Sequence, residues 1–328
     1  MIRRVEPELT EKFRKNPQTE AFLAKLNRIL ALHQEEDYIA DLPERYPTVH
    51  VIGVPRSGTT LLTQLLAAHT DIGYINNLIA AFWKAPVYGI RLSAQVVPRH
   101  SGSSYQSEFG RTQGIHEPHE FGYFWSELLD YREMREQPEK PPIDWERVRL
   151  VLTNMTHAAQ RPIVFKSFLL AWHIAEIQAV LPKTCWIHIR RDPIQNAISL
   201  LHLRRDFLGS VDKWASLKPK EYEWLRRKPY WEQVVGQIYF LEKGYREKLR
   251  SVPAGQVLSV SYEQLCHSPD SIIQKIQAML AQQGASVQAV TPAPSAFSVQ
   301  RYDLSQVPEL MKLQKSWQSL IDQYGPLG

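Results

Sequence analysis

The sequence predicts an α/β fold in three layers, a central parallel sheet covered by helices on both faces. Three observations carry this prediction. Continuous apolar runs rich in β-branched residues alternate with helix-forming runs along most of the chain, the pattern of strands buried on both faces. The first such strand ends in a short Gly-containing loop that opens directly into a helix. Two long stretches rich in Pro, Gly and aromatic residues break the alternation and read as helical, aromatic-rich cap insertions.

The elements follow in order. Residues 19–34, "TEAFLAKLNRILALHQ", place Phe22, Leu23, Leu26, Ile29, Leu30 and Leu32 at helical spacing, so an amphipathic helix precedes the sheet. "TVHVIGV" (48–54) is a buried strand and "TTLLTQLLAAH" (59–69) the helix after it. The same grammar recurs in "RPIVFKS" (161–167) with "HIAEIQAVL" (173–181), in "TCWIHIRR" (184–191) with "PIQNAISLLHLRR" (193–205), and in "GQVLSVSY" (255–262) with "DSIIQKIQAML" (270–280). The insertions span about 84–145 and 206–231. With no composition break between the units, the 328 residues read as one domain with its core at about 48–282.

Composition narrows the function. Apolar residues make up 44% of the chain and the net charge is +5. That rules against disorder and is too weakly basic to imply nucleic acid, yet suits an anionic small ligand. The two cysteines, Cys185 and Cys266, form no CxxC pair or disulfide framework, which fits a reducing, cytoplasmic setting. The first 20 residues lack an apolar signal-peptide core, and no run is long enough to cross a membrane.

In parallel sheets of this kind ligands lie beyond the C-terminal strand ends, and the informative residues fall there. "VIGVPRSGTTLL" (51–62) almost spells a nucleotide-binding P-loop, but Thr59 stands where its lysine belongs and the cation is Arg56. Ser57, Gly58, Thr59 and Thr60 offer hydroxyls and backbone N–H groups to an anion at a helix N-terminus. Arg56 adds a planar, bidentate cation. With no lysine in its usual place and no clear acidic strand end, the group held is shorter than a triphosphate and needs no metal. The second constellation is "IHIRRDPIQNAISLL". Asp192 and Pro193 form a helix entry, Arg190 and Arg191 stand at the strand exit, and Ser199 lies two turns into the helix, where an arginine and a serine can share a phosphate.

Pro-Arg-Ser-Gly-Thr-Thr after a strand, with a later Arg-Asp-Pro and Ser199 eight residues beyond Arg191, resembles the sulfotransferases that use 3′-phosphoadenosine 5′-phosphosulfate (PAPS), bacterial-type branch. The resemblance covers about 48–280 and implies a P-loop-like fold. It implies that Arg56, Ser57, Gly58, Thr59 and Thr60 hold the 5′-phosphosulfate and that Arg191 and Ser199 hold the 3′-phosphate. It also implies that Tyr262 of "SVSYEQL" lies by the adenine, with PAP as the product and no metal required. Leu61 replaces the aromatic residue of the cytosolic branch, so adenine packing differs there.

In "IVFKSF" the resemblance assigns Lys166 to the transferring group, but Phe168 occupies the position of the general-base histidine. The glutamate that other branches use after the first helix is also absent, and Asn76 and Asn77 stand in its place. The remaining source of a base is "GIHEPHEFGYFW" (114–125), with His116, Glu117, His119 and Glu120. Glu120 is the first choice and His119 the second. The same His-x-x-His segment also reads as a metal cluster or a solvated loop. The aromatic and basic stretch 206–231 reads as a cover for the cofactor and acceptor pocket, with RNA or an anionic membrane face as the other reading. The expected reaction is sulfuryl transfer from PAPS to a hydroxyl of a small or lipid-like acceptor. A P-loop kinase using ATP and Mg²⁺, or an inactive nucleotide-binding protein of the same fold, are the alternatives.

Overall fold

The computed structural model describes residues 9–98, 101–136 and 142–327. Its centre is β1 (Thr48–Ile52), flanked by β3 (Ile163–Lys166) and β4 (Cys185–Arg190). β2 (Gly73–Tyr74) and β5 (Val257–Ser261) complete a five-stranded sheet in the order β2-β3-β1-β4-β5, with every pair parallel. The register sets Thr48 opposite Ile163 and Val49 opposite Cys185.

Before the sheet runs α1 (Pro17–Asp37), capped by Asn16, whose side chain accepts from the Gln18 and Thr19 N–H groups. After β1 comes α2 (Thr59–His69), with the bounds the sequence predicts. Between β2 and β3 lie α3 (Asn77–Ala80), α4 (Pro86–Val96), α5 (Gly122–Leu128) and α6 (Trp145–Ala159). The first insertion is therefore partly helical. β3 and β4 are joined through α7 (Ile174–Val180), and α8 (Pro193–Leu208) leaves β4 with Asp192 as its cap, the side chain accepting from the Gln195 N–H. Then come α9 (Tyr222–Leu225), α10 (Tyr230–Leu249), α11 (Tyr262–His267), α12 (Pro269–Gln282) and α13 (Leu310–Tyr324).

Side-chain alternation along β1 separates two cores. Val49 and Val51 face one side, where Leu62 and Leu65 of α2 and Ile272 and Ile276 of α12 pack. Ile52 faces the other, with Phe165, Trp186, Val151 of α6, Leu200 of α8 and Ile238 of α10. These are the three layers. α2 leaves β1 toward one face and α8 leaves β4 toward the other, so the crevice between β1 and β4 is where the connections diverge. In open parallel sheets that divergence is where ligands bind.

One polar group lies deep in this frame. His50 is fully buried on β1, with Nδ1 2.9 Å from Ser167 Oγ and Nε2 3.0 Å from Thr48 Oγ1. Burial pushes its pKa down to about 3, so the ring is neutral and both nitrogens are partnered.

Candidate active site

The loop between β1 and α2 needs its small residues. Gly58 has φ +104°, a left-handed conformation that L side chains rarely adopt, and a Cβ there would come within 2.6 Å of the Tyr262 ring. A Cβ at Gly53 would overlap the Ile189 carbonyl of β4. Both glycines let the loop lie flat against β4 and α11. Among the described residues the Gly58, Thr59 and Thr60 N–H groups make no backbone hydrogen bond. They are the free donors of the α2 N-terminus. Ser57 Oγ is buried and lacks a partner among the described residues. An orphaned hydroxyl beside free donors fits an anionic group.

Arg56 joins the two motifs. Its backbone is left-handed at φ +73°, and its Nε donates to Ser199 Oγ at 3.2 Å. Burial lowers its pKa, with Tyr302 opposing and Arg191 adding to the shift; a guanidinium stays charged regardless. Arg191 Nη1 donates to the Arg56 carbonyl at 3.2 Å, and its guanidinium lies 4.6 Å from the centre of the Tyr262 ring. Ser199 also accepts from the Tyr302 hydroxyl at 3.3 Å. Tyr262 accepts from the Gln300 N–H at 3.1 Å, and Arg191 Nη2 donates to the Gln300 carbonyl at 2.5 Å. Arg56, Arg191, Ser199 and Tyr262, read from separate motifs, thus form one constellation. Gln300 and Tyr302 belong to it as well. No motif spacing marks them, because they lie in an irregular segment.

At the end of β3, Lys166 is buried. Its Nζ donates to Thr60 Oγ1 at 2.7 Å and to Glu120 Oε1 at 2.5 Å. Burial pushes the Lys166 pKa down while Glu120 holds it up. The lysine side chain is 4% exposed and that of Glu120 37%, so the carboxylate is the member of the pair that solvent or a substrate can reach. Phe168 lies beside them, with the Lys166 ammonium 5.3 Å from its ring centre. Gly110 covers the group: a Cβ on it would stand 3.0 Å from Glu120 Oε1 and 3.2 Å from Lys166 Nζ.

The asparagines in place of a glutamate have a structural task. Asn76 caps α3 by accepting from the Ile79 N–H and donates to Ser93 Oγ; Asn77 donates to the Thr112 and Gly114 carbonyls. Backbone bonds from Asn77 N–H to the Glu117 carbonyl and from His119 N–H to the Ile75 carbonyl hold "HEPHEF" along this stretch. Glu117 is buried and serves the loop, accepting from Gln64 Nε2, Ser103 Oγ and the Ser104 N–H. His119 is exposed, and its Nδ1 accepts from the Phe121 N–H at 2.8 Å. Of the four candidates in this segment only Glu120 pairs with Lys166. Among the described residues no group of three or more His, Cys, Asp or Glu is placed to hold a metal.

The cations of 206–231 are mostly spoken for. Lys218 pairs with Glu133, Lys220 with Glu136, Arg226 with Glu223 and Lys228 with Glu232. Lys218–Glu133, Lys220–Glu136 and Arg135–Glu223 stitch this stretch to residues 133–136, while Arg226–Glu223 and Lys228–Glu232 are local pairs. The stretch is an ion-paired brace. Among the described residues no helix is long and apolar enough to cross a membrane.

The chain is similar in structure to a sulfotransferase, STF9, from Mycobacterium avium, with a TM-score of 0.55, 13% identity, and coverage of 98% of this chain and 88% of that one. A sulfotransferase, STF1, from Mycobacterium tuberculosis H37Rv aligns at TM-score 0.49 and 16% identity over 81% of this chain and 76% of that one. One from Alicyclobacillus acidocaldarius aligns at 0.43 and 16% over 84% and 96%. No curated protein sequence matches the chain. The family model described as "Sulfotransferase family" matches residues 47–283, which span β1 to the end of α12, and the chain therefore belongs to the sulfotransferase family.

Proposed function

We propose that the chain moves a sulfuryl group from PAPS to a hydroxyl of a small or lipid-like acceptor, with Glu120 as general base. The observation that carries this reading is the contact of Lys166 with both Thr60 of the α2 N-terminus and Glu120. It joins an anion-holding loop, a cation and a solvent-reaching carboxylate at one point.

The residues divide the work. The free N–H groups of Gly58, Thr59 and Thr60 and the unpartnered Ser57 hydroxyl receive the 5′-phosphosulfate. Arg191 and Ser199 receive the 3′-phosphate, and Tyr262 borders the adenine. Arg56, bonded to Ser199, keeps the two ends in register. Glu120 takes the proton from the acceptor hydroxyl as that oxygen forms its bond to sulfur. The bond between sulfur and the bridging oxygen breaks, and its electron pair leaves with the phosphate of PAP. Lys166 neutralises the charge arriving on that oxygen. No covalent enzyme intermediate is required, so the acceleration rests on positioning and electrostatics.

The test is binding first and turnover second. Calorimetry should show PAP binding without Mg²⁺ and no comparable binding of ATP with or without it. Incubation with PAPS and a panel of alcohols should release PAP in step with a sulfated product. Binding of ATP·Mg²⁺ in preference to PAP would sink the reading in favour of a kinase. PAP binding with no turnover on any alcohol or amine would leave a nucleotide-binding protein.

A further inference from the structure

The apolar residues that predict α1 do not share one face. Leu23, Leu26 and Leu30 are half-buried, whereas Phe22, Ile29 and Leu32 are 63%, 51% and 71% exposed. The deepest contacts of the helix are polar instead. Asn27 and Gln34 are buried. Asn27 Nδ2 donates to the Ala81 carbonyl at 2.7 Å, and its Oδ1 accepts from the Lys84 N–H at 2.8 Å. Gln34 Oε1 accepts from the Val87 and Tyr88 N–H groups at 2.8 and 3.2 Å. Rolling α1 to hide its apolar residues would leave these buried groups unpaired, so the hydrogen bonds fix which face looks outward.

That outward face has the period of a helix–helix seam. Phe22, Lys25, Ile29, Leu32 and Glu36 follow one another at intervals of three, four, three and four residues, the spacing of the a and d positions of a heptad. Ile39, 59% exposed, continues the spacing just past the helix end. Lys25 and Glu36 are exposed and make no ion pair among the described residues. Lay a second copy antiparallel about the point between Leu30 and Ala31. Ile29 then meets Leu32 of the partner subunit, Phe22 meets Ile39 of the partner subunit, and Lys25 meets Glu36 of the partner subunit. Two-fold symmetry makes each contact twice. A parallel pair would instead set lysine on lysine and glutamate on glutamate. A bilayer is a poorer occupant, because Glu36 lies on the seam and would be desolvated there without a partner.

We propose that α1 pairs antiparallel with α1 of a second copy of this chain along Phe22, Lys25, Ile29, Leu32 and Glu36. The seam is one face of a helix about 30 Å long. An interface of that size is small, so the dimer exchanges with monomer at a Kd on the order of 1–100 μM. The pairing does not depend on the reaction that the chain performs.

Sedimentation velocity of the full chain, from about 1 to 200 μM, should show monomer passing into dimer across this range. Ile29→Asp should leave monomer at every concentration. Lys25→Glu and Glu36→Lys each set two like-charge contacts across the seam and should raise Kd about tenfold or more. The double variant Lys25→Glu/Glu36→Lys restores opposite charges and should return Kd to within about threefold of wild type. These side chains are exposed, so thermal melting by circular dichroism should be unchanged in all four variants. A wild-type chain that stays monomeric throughout would overturn the proposal. So would a dimer indifferent to Ile29→Asp, or a double variant no better than the single ones. A monomer that co-sediments with phosphatidylcholine–phosphatidylserine vesicles, and stops doing so in Ile29→Asp, would overturn it in favour of a lipid surface.

Discussion

Lys166 and Glu120 meet at 2.5 Å across 46 positions of sequence, the lysine buried and the carboxylate open to solvent. On the proposed reading, the asymmetry makes Glu120 the proton acceptor and Lys166 the charge stabiliser. Glu120→Gln keeps the shape and removes the basicity, so turnover on an unactivated alcohol should fall by about 10²–10⁴ with little change in PAP affinity. His119→Ala should cost less, since His119 makes no hydrogen bond to Glu120 or Lys166 among the described residues. Steady-state kinetics with calorimetry checks both, and wild-type turnover in Glu120→Gln would remove Glu120 from the mechanism.

Lys166→Ala should act on kcat more than on KM, because the charge it meets grows during transfer. Full kcat with a raised KM would reduce Lys166 to a binding role.

The pair also sets a titration. Burial lowers the Lys166 pKa and Glu120 opposes that shift. Taking the opposing charge away in Glu120→Gln should lower the pKa further, so the ammonium is lost at a lower pH than in the wild type. NMR of the lysine side chain across the pH range reads this directly. An unchanged or raised pKa would mean that the carboxylate does not stabilise the ammonium.

Arg191 and Ser199 should behave differently, although the sequence pairs them. Arg191→Ala should weaken PAP by about 1.5–3 kcal/mol and adenosine phosphosulfate, which lacks the 3′-phosphate, by clearly less. Ser199→Ala also frees Arg56 from its hydrogen bond, so both nucleotides should lose affinity. Calorimetry with the two ligands separates the cases, and equal effects from both variants would contradict the assignment.

How far the sequence carried the reading depends on the kind of contact. The strands and the helices at 59–69, 193–205 and 270–280 were legible because strand and helix periods differ and each strand end is marked. α10 was missed because it is buried nearly all round, from Gln233 through Glu242, so no polar face gives it a period. β2 is two residues long and leaves no pattern. The loop residues, Arg191 and Ser199 were singled out by motif spacing and Tyr262 by a family resemblance, and the structure brings them together. That Glu120 and not His119 faces Lys166 depends on how "HEPHEF" is laid along residues 75–77, and no spacing encodes that. Gln300 and Tyr302 meet the site through folded proximity alone.

His50 supplies a prediction for stability. Its folded pKa is about 3, against roughly 6.5 in an unfolded chain. Between these values the unfolded state binds more protons, so stability is fully present above about pH 6.5 and declines as pH falls. The slope reaches up to about 1.4 kcal/mol per pH unit. Denaturant unfolding at pH 7 and pH 5 should show a loss that His50→Gln reduces, and an equal loss in the variant would assign the acid sensitivity elsewhere.

Gln300 and Tyr302 close on Arg191, Tyr262 and Ser199, and Thr291 on His69 across 222 positions. A ribosome making this chain therefore delivers the Pro-Arg-Ser-Gly-Thr-Thr loop long before the segment that finishes its surroundings. Until that segment emerges, the nascent protein has the sheet and the loop but not the groups that close on Arg191, Tyr262 and Ser199. The completed constellation is then a late event in the protein's synthesis.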